Sequence, residues 1–165
     1  MDAVIGLGSN LGDRLRFLRQ AASELMRFGE VRFRSAVYET EPVGGPEQPN
    51  YLNAALWFVT DLLPDRLLEV LHRLEAVAGR QRTGERNLPR TLDLDVLLLG
   101  VRGECVLVSD QLVIPHPRLH ERAFALRPVL DLAPTLFHPA LGVSLADLLA
   151  GLAQASSKTT PVGWL

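Results

Sequence analysis

The first part of the chain changes from a strand-like to a helix-like pattern of apolar residues. Residues 3–7 are a short apolar run, which is typical of a buried strand. Apolar side chains then recur at alternating steps of four and three, the spacing of one helix face; they are Leu11, Leu15, Leu18, Ala22 and Leu25. Asn10 or Asp13 is expected to cap this helix, and Gly29 follows its end.

A strand, a turn and another strand are predicted next. Apolar and polar residues alternate over residues 31–40, which predicts a strand with one face in solvent. Three prolines and two glycines make residues 41–50 a turn-rich connection. Residues 51–60 are apolar at both alternating sets of positions and predict a strand that is buried on both faces.

The second helix is expected to begin at Pro64, where the missing N–H of proline removes no helical hydrogen bond. Its apolar face is formed by Leu67, Leu71, Leu74 and Ala78. Gly79 is a natural stop for this helix. Residues 79–91 lack any periodicity, and residues 92–99 predict a buried strand that contains two acids.

The order strand, helix, strand, strand, helix, strand is the ferredoxin-like βαββαβ pattern. Further elements follow it: a short strand near 104–108, a helix around 119–130 and a helix around 145–153. Ser144 is expected to cap the last helix, and the tail from Ser156 is expected to be loosely held. The sequence therefore predicts one α+β domain over residues 1–165, with a mainly antiparallel sheet, helices packed on it and C-terminal additions.

Composition narrows the class of protein. The chain of 165 residues is 47% apolar and 22% charged, as in globular domains, and no apolar run reaches the ~18 to 20 residues of a membrane helix. Cys105 is the only cysteine, which excludes an internal disulfide and fits a reducing compartment. A net charge of −2 and a pI near 6.1 argue against a surface that coats nucleic acid. We expect a cytoplasmic protein without membrane or nucleic-acid partners.

Asp93 and Asp95 interrupt the apolar strand at 92–99. Residues two apart in a strand point to the same face, with Cα atoms roughly 6 to 7 Å apart. Buried carboxylates need a partner charge, and two on one face suit Mg²⁺, which binds one or two carboxylates together with phosphate oxygens. Taken alone, the pattern is equally compatible with a pair that nearby arginines neutralise.

A cluster of arginines precedes this strand, formed by Arg80, Arg82, Arg86 and Arg90. The glycine-rich phosphate-binding motifs are absent from the sequence, so a chain that handles phosphates has to use arginine and metal. A cationic loop beside paired carboxylates suits phosphoryl transfer, because both neutralise charge and loop closure excludes water. We expect this loop, residues 79–91, to be mobile without ligands; the alternative is a solvated surface loop.

Tyr51 and Asn53 share one face of the strand at 51–60. An aromatic plane beside an amide can hold a flat heterocycle by stacking and paired hydrogen bonds, although both residues are also common near strand starts. His116 and His120 do not predict a zinc site, because Pro117 interrupts a helical pair and the chain has no nearby thiolate.

Five segments, in the same order, make the chain resemble the 6-hydroxymethyl-7,8-dihydropterin pyrophosphokinase family over nearly its whole length. They are G-L-G-S-N-L-G-D at 6–13, Y-E-T-E-P-V at 38–43, Q-P-N-Y-L-N-A at 48–54, P-R-T-L-D-L-D at 89–95 and P-H-P-R-L-H-E-R-A-F at 115–124. The resemblance implies transfer of the β,γ-pyrophosphoryl group of ATP to the pterin hydroxymethyl oxygen, with AMP as the second product, in folate biosynthesis.

The resemblance also implies roles for individual residues. Asp93 and Asp95 would hold two Mg²⁺ ions across the triphosphate, and Arg80, Arg90 and Asp95 would be catalytic. The positions that match nucleotide contacts are Glu75, Arg82, Val96, Gln111, His116 and Arg122. The positions that match the pterin site are Tyr51 and Phe124 on the two ring faces, with Asn53, Thr40 and Val43 at the polar edge.

Four positions depart from the family's pattern. Leu88 replaces the usual small residue before Pro89, and Asn87 lies where some members have tryptophan. Gln111 and Pro117 replace groups that contact ATP in other members. These departures bear on nucleotide affinity and loop dynamics rather than on the reaction.

Two other classes of protein remain as alternatives. A metal-dependent nucleotidyltransferase also combines a Gly-Ser turn with D-x-D, but there the turn lies shortly before the acids, whereas Ser9 and Asp93 are 84 residues apart. A non-catalytic ferredoxin-like RNA-binding domain needs exposed aromatics on central strands and a basic face, which the acidic pI does not favour. We expect a monomer that binds small-molecule substrates.

Overall fold

A six-stranded antiparallel sheet organises the part of the chain that the structure, a computed structural model, describes: residues 1–80, 88–153 and 160–165. The strands are β1 (Asp2–Ser9), β2 (Glu30–Arg34), β3 (Ala36–Thr40), β4 (Tyr51–Val59), β5 (Asp93–Leu99), β6 (Leu107–Val108), β7 (Val113–Ile114), β8 (Phe137–His138), β9 (Val143–Ser144) and β10 (Thr160–Trp164). The sheet order is β10-β3-β4-β1-β5, and β2 also pairs with β4. The pairs β6-β7 and β8-β9 are separate short hairpins.

The neighbouring strands β3, β4, β1 and β5 have the order of a ferredoxin-like core, which confirms the predicted βαββαβ arrangement. Helix α1 (Arg14–Leu25) connects β1 with β2, and α2 (Pro64–Val77) connects β4 with β5. Both helices pack on one face of the sheet. Their buried contribution to the core there is formed by Leu18, Leu25, Leu67 and Leu71.

The C-terminal additions cover the opposite face of the sheet. A 3₁₀ turn at Leu119–Glu121 leads into α3 (Ala123–Leu132), and α4 (Leu145–Ala153) follows the β8-β9 hairpin. The core on this face is formed mainly by Val4, Ala55, Trp57, Leu98, Leu126, Val129 and Leu145. Because helices lie on both faces, β4 is buried along its whole length except for its two end residues, as its sequence predicts.

Local hydrogen bonds set the start of the helices. Asp13, not Asn10, caps α1: its Oδ1 accepts from the Arg16 N–H at 3.1 Å, so Leu11 lies exposed before the helix. Ser144 Oγ accepts from the Asp147 N–H at 3.0 Å and caps α4, as predicted. Within the described ranges, none of the helices has both the length and the apolar character that crossing a bilayer requires.

The strand predicted at 31–40 is interrupted, and the exposure pattern predicted for it is wrong. Between β2 and β3, the Ser35 hydroxyl accepts from the Ala55 N–H at 2.8 Å and donates to the Ala36 carbonyl at 2.7 Å. Phe33 is 55% exposed, whereas consecutive residues at the start of β3 are buried. The reason is that α3 packs on β3, so β3 is covered on both faces, whereas Phe33 lies outside this cover.

The C-terminal predictions differ from the structure in three places. The strand expected near 104–108 is one arm of the β6-β7 hairpin, and the helix expected around 119–130 begins as a 3₁₀ turn before α3. The sequence predicts a loosely held tail from Ser156, but β10 within this tail pairs with β3. Residues 154–159, which include Ser156, lie outside the described residues. The β10 partner is far away in sequence, and no local pattern reveals it.

We expect Tyr38→Phe to lower the free energy of unfolding by about 1.5 to 3 kcal/mol, the usual value for a hydrogen bond to a charged group. The Tyr38 hydroxyl lies 2.9 Å from both carboxylate oxygens of Asp131, which also accepts from the Ala36 N–H at 3.1 Å. The substitution removes one of the bonds that join α3 to β3. Urea unfolding measures the loss, and an unchanged midpoint would contradict the expectation.

Candidate active site

The ends of neighbouring strands form one side of a cleft. The register pairs Thr40 with Tyr51 across β3 and β4. It also pairs Gly8 of β1 with Asn53 on one side and with Asp93 on the other. The antiparallel sheet therefore brings the starts of β4 and β5 to the same edge as the ends of β1 and β3. The cleft is lined by Thr40, Glu41, Pro42, Val43, Gly44, Gln48, Tyr51, Asn53, Arg90, Asp93, Arg118, Glu121, Arg122 and Phe124.

The residues predicted to bind a flat ring lie together in this cleft. Asn53 is buried, and its Nδ2 donates to Thr40 Oγ1 at 2.8 Å. A Cβ at Gly8 would lie 3.2 Å from Asn53 Oδ1, 3.7 Å from Asp93 Cβ and 3.9 Å from Tyr51 Cδ1. Glycine at this position allows the amide, the carboxylate and the aromatic ring to converge. Burial raises the pKa of the Tyr51 hydroxyl above its usual value, so this hydroxyl is neutral.

The two acids of β5 lie on one face of the strand, opposite Gly8 and Gly6 of β1. Burial, together with the negative charge of Asp93, raises the pKa of Asp95 from 3.8 to about 6. The guanidinium of Arg122 acts in the opposite direction, and its Nη1 lies 3.4 Å from Asp95 Oδ2. The raised pKa means that the negative charge at Asp95 is only partly compensated.

Two arginines that the sequence places in the loop bind Asp93. Arg90 Nη1 lies 3.2 Å from Asp93 Oδ2, and Arg80 Nη1 forms ion pairs with Asp93 Oδ1 and Glu75 Oε1. Glu75 is 1% exposed, and its Oε1 also accepts from the Leu94 N–H at 2.8 Å. One buried carboxylate thus holds Arg80 against β5. Arginines thus compensate the charge of Asp93 in this structure.

His116 faces the same carboxylates as a neutral imidazole. Burial and the charge of Arg122 lower the pKa of His116 to about 4. Its Nδ1 accepts from the Arg118 N–H at 3.1 Å, so the ring proton is on Nε2. Nε2 lies 3.8 Å from Asp95 Oδ2. The imidazole therefore directs an N–H group, not a positive charge, towards Asp95 at neutral pH.

The structure brings most of the predicted site residues together. Eight of them line the cleft: Thr40, Val43, Tyr51, Asn53, Arg90, Asp93, Arg122 and Phe124. The ion pairs and contacts described above connect four more to these: Glu75, Arg80, Asp95 and His116. Val96 is buried in the core, Gln111 is exposed between β6 and β7, and neither lines the cleft. Arg82, Arg86 and Asn87, and with them most of the loop predicted to be mobile, lie outside the described residues.

Further polar residues of the cleft have no role predicted from sequence: Glu41, Gln48, Arg118 and Glu121. Arg118 Nε binds Glu121 Oε2 at 3.1 Å, which forms one rim of the cleft. All four lie in segments that carry the family resemblance, so these motifs are the sequence signal that could have identified them as cleft residues. Residue type alone did not distinguish them from ordinary surface residues.

The fold and the cleft define a class of protein, an α+β protein of ferredoxin-like topology in which an aromatic ring, an amide, arginines and paired carboxylates lie together. The sequence model of the family described as 7,8-dihydro-6-hydroxymethylpterin-pyrophosphokinase (HPPK) matches residues 4–134. The chain belongs to this family, which confirms the membership that the five segments predict.

Named relatives are similar over most of this chain. The 2-amino-4-hydroxy-6-hydroxymethyldihydropteridine pyrophosphokinase of Bacillus subtilis is 42% identical over 132 residues, which cover 79% of this chain and 77% of that protein. The Folate synthesis bifunctional protein of Arabidopsis thaliana is 44% identical over 135 residues, which cover 81% of this chain but 27% of that protein. The chain thus spans less than a third of the length of several longer relatives.

Solved structures agree in fold. A crystal structure of HPPK-DHPS in complex with substrates matches with a TM-score of 0.68 and 12% identity, over 93% of this chain and 43% of that chain. Wild-type Plasmodium falciparum HPPK-DHPS with SDX-DHP matches with a TM-score of 0.67 and 14% identity, over 93% of this chain and 44% of that chain. At these identities the likeness concerns the fold, and it confirms the α+β class.

Proposed function

We propose that this chain transfers the β,γ-pyrophosphoryl group of ATP to the hydroxymethyl oxygen of 6-hydroxymethyl-7,8-dihydropterin, giving the pterin diphosphate and AMP, in folate biosynthesis. The observation that carries this proposal is one cleft in which Tyr51 and Phe124, which we call the platform, lie beside arginines and paired carboxylates. Family membership supports the same reaction. The proposed unit is a single pyrophosphokinase domain over residues 1–165, acting as a cytoplasmic monomer on small molecules.

The platform is proposed to hold the pterin between the rings of Tyr51 and Phe124. Asn53, Thr40 and the main chain near Val43 are proposed to contact the polar edge of the ring. All five residues line the same cleft. The bond between Asn53 and Thr40 orients the amide, so the cleft presents hydrogen-bonding groups in fixed positions. A pterin has flat faces for stacking and an edge of donors and acceptors, which suits this arrangement.

Asp93 and Asp95 are proposed to hold two Mg²⁺ ions across the ATP triphosphate. The donor set fits, because two carboxylates share one face of β5 and the charge at Asp95 is only partly compensated. Among the residues that the structure describes, no three His, Cys, Asp or Glu side chains form a group that could hold a metal. The protein would supply the two carboxylates, and the triphosphate and water the other oxygens, a division that Mg²⁺ favours. Bound Mg²⁺ supplies positive charge to the phosphate oxygens.

The arginines are proposed to stabilise the group in transfer. Arg80 and Arg90 hold Asp93, and Arg122 holds Asp95, so three guanidinium groups surround the carboxylate pair. Phosphoryl transfer depends mainly on such charge stabilisation and on positioning. The rings of Tyr51 and Phe124 would position the hydroxymethyl oxygen, and a nearby carboxylate would accept its proton. The nucleotide contacts stay predictions: Glu75, Arg82, Val96, Gln111, His116 and Arg122.

Product analysis tests the proposed function. The protein is incubated with ATP and MgCl₂, with and without the hydroxymethyldihydropterin, and the products are separated and weighed by mass spectrometry. We expect AMP and the pterin diphosphate in equal amounts, formed only when the pterin is present and abolished by a chelator. ADP with a pterin monophosphate would contradict the proposal. A nucleotidylated pterin with free pyrophosphate would instead indicate a nucleotidyltransferase.

We expect Tyr51→Ala to weaken pterin binding about 10- to 100-fold, the range of a lost aromatic–base stack. The affinity for an ATP analogue should change less than threefold, which corresponds to ~0.6 kcal/mol. Tyr51→Phe should keep the pterin affinity, because it keeps the ring. Phe33→Ala is the matched control, since Phe33 is an exposed aromatic that does not line the cleft. Calorimetry measures both ligands, and an equal loss for both would show that Tyr51 supports the structure rather than the pterin.

A further inference from the structure

The side chain of Asn10 joins two segments of the cleft that are far apart in sequence. Asn10 lies directly after β1 and is 1% exposed. Its Oδ1 accepts from the Arg90 N–H at 2.8 Å, and its own N–H donates to the Arg90 carbonyl at 3.0 Å. Its Nδ2 donates to Gln48 Oε1 at 2.9 Å and to the Pro49 carbonyl at 3.1 Å. The side-chain amide of Asn10 thus accepts a hydrogen bond from the segment at Arg90 and donates two to the segment at 48–49.

These partners determine which residue type fits at position 10. The Arg90 N–H can only donate, and the Pro49 carbonyl can only accept. A side chain between them must present an acceptor on one side and a donor on the other. Asparagine does so, whereas an aspartate of the same shape would place a second oxygen against the Pro49 carbonyl. The orientation of the Asn10 amide is therefore set by its neighbours.

The same two segments also meet through the platform residue Tyr51. The Tyr51 hydroxyl lies 3.3 Å from Gln48 Oε1 and 3.4 Å from the Leu88 carbonyl oxygen. Arg90 Nε donates to the Leu88 carbonyl at 3.1 Å. The Tyr51 hydroxyl has one proton and donates it to one of these two acceptors at a time. The residues Asn10, Arg90, Leu88, Tyr51 and Gln48 therefore form a connected set of polar contacts, which we call the junction. The junction ties the ring platform to the main chain of an arginine that binds Asp93.

We propose that Asn10 is a positioning residue that keeps Arg90 at a fixed distance from the pterin platform, and that its effect on turnover passes through Arg90. This inference rests on the proposed function, in which Arg90 stabilises the group in transfer and Tyr51 holds its acceptor. Both must keep one separation, because a misplacement of about 1 Å can lower the rate about 100-fold. The main chain of Arg90 is bound to Asn10 from both its N–H and its carbonyl, which makes Asn10 the residue that sets this separation.

A double-mutant cycle tests the route of the effect. We expect Asn10→Ala to lower kcat about 30- to 100-fold in the wild-type background, by the same misplacement argument. In an Arg90→Ala background the same change should lower kcat less than about threefold, because the residue through which Asn10 acts is gone. Equal losses in the two backgrounds, or no loss in either, would overturn the inference.

Thr60→Val is the matched control for a merely structural effect. Thr60 is also buried, and its hydroxyl donates to the Phe28 carbonyl at 2.6 Å and accepts from the Leu62 N–H at 3.1 Å, at the far end of β4 from the cleft. We expect this variant to lose stability but to keep kcat. If it lowers kcat as much as Asn10→Ala does, the effect of Asn10 is general destabilisation and the inference is wrong.

Two further measurements separate this inference from the proposed function. Hydrogen exchange of the Arg90 amide needs no substrate; we expect Asn10→Ala to speed it by more than tenfold, whereas unchanged protection would overturn the inference even in an inactive protein. Failure of the wild-type protein to form AMP and pterin diphosphate would contradict the proposed function instead. Should Asn10→Ala not fold, Asn10→Asp keeps the acceptor for the Arg90 N–H. It should still lower kcat at least tenfold, because its second oxygen displaces the Pro49 segment and changes the same separation, and the loss should be less than about threefold in the Arg90→Ala background. Equal losses in the two backgrounds, or none, would overturn the inference.

Discussion

Replacing Asp95 by asparagine is expected to lower kcat about a thousandfold while the fold stays intact. Asp95 shares one face of β5 with Asp93, and its charge is only partly compensated by Arg122. If the pair holds Mg²⁺ across the triphosphate, loss of one charge removes several kcal/mol of transition-state stabilisation, an order-of-magnitude figure for metal-assisted reactions. Steady-state rates at saturating Mg²⁺ measure the effect.

An exposed acid away from the cleft provides the control for this experiment. Asp61 lies just beyond the end of β4 and does not line the cleft, so Asp61→Asn should keep the wild-type rate. Circular dichroism of both variants should match the wild type. Near-normal turnover of Asp95→Asn at saturating Mg²⁺ would mean that the carboxylate pair is structural and that the proposed metal site is wrong.

In the absence of metal, Asp95→Asn should have a higher free energy of unfolding than the wild type, by an amount that depends on pH. The pKa of Asp95 is raised from 3.8 to about 6 in the folded protein, so folding favours the protonated carboxyl. The protonated Asp95 carboxyl therefore makes its full contribution to the free energy of unfolding of the wild type below pH 3.8, and this contribution is lost as the pH rises through about 6. The difference between the two pKa values corresponds to about 3 kcal/mol of stability. Because the Asp95 side chain is 37% exposed, solvent screening reduces this to about 1 kcal/mol.

Urea unfolding in a chelator measures this gain. Asp95→Asn should be more stable than the wild type by about 1 kcal/mol at pH 7.5, by the linkage just described, and equal to it near pH 3.5. The stability of Asp61→Asn relative to the wild type should not change in this way between the two pH values. A gain that is the same at both pH values would mean that carboxylate repulsion is not its cause.

Arg90→Ala is expected to lower kcat about a thousandfold, within the range that a catalytic arginine contributes to phosphoryl transfer. Its guanidinium lies 3.2 Å from Asp93 and the side chain is 20% exposed, so its charge acts in a partly desolvated cleft. Burial acts to lower the pKa of Arg90, but Asp93 and Tyr51 outweigh it and raise that pKa, so the charge is permanent. Arg90→Lys should recover part of the rate, because lysine keeps the charge but loses the planar fork.

Arg66→Ala is the control for the removal of an arginine. Arg66 lies on the exposed side of α2, where it pairs with Glu69, and it does not line the cleft. Its loss should leave kcat and both KM values within twofold, because an exposed ion pair away from the cleft contributes little. If Arg90→Ala raises only the KM for ATP and leaves kcat unchanged, Arg90 binds the nucleotide in the ground state and does not stabilise the group in transfer.

Much of the fold could be predicted from the sequence, and particular residues show why. Leu18, Leu25, Leu67 and Leu71 repeat at helical spacing, and each is buried against the sheet as predicted. Pro64 and Ser144 mark helix starts through their own backbone and hydroxyl chemistry, which act within a few residues. Such signals need no knowledge of the rest of the molecule, so they survive in the sequence.

The site was predicted only as far as motifs extend. Tyr51, Asn53 and Asp93 were selected by strand spacing and by the resemblance, and the structure brings them into one cleft. Asn10 lies in the segment at 6–13 that carries the resemblance, but the only role that the sequence predicts for it is a helix cap, which belongs to Asp13. Its actual partners are 38, 39 and 80 residues away, and no local pattern points to them.

Spacing along the chain is sufficient for the order of the elements and for the common face of Asp93 and Asp95, because each of these depends on residues within a few positions of one another. Five short segments in a fixed order are sufficient for membership of the HPPK family. The tertiary structure alone decides which groups compensate each charge. Sheet register and helix packing place Arg80, Arg90 and Glu75 around Asp93 but leave Asp95 with a raised pKa. The physical reason is that electrostatic and hydrogen-bond partners are chosen by distance in space, and distance in space follows from pairing between strands that are far apart in sequence.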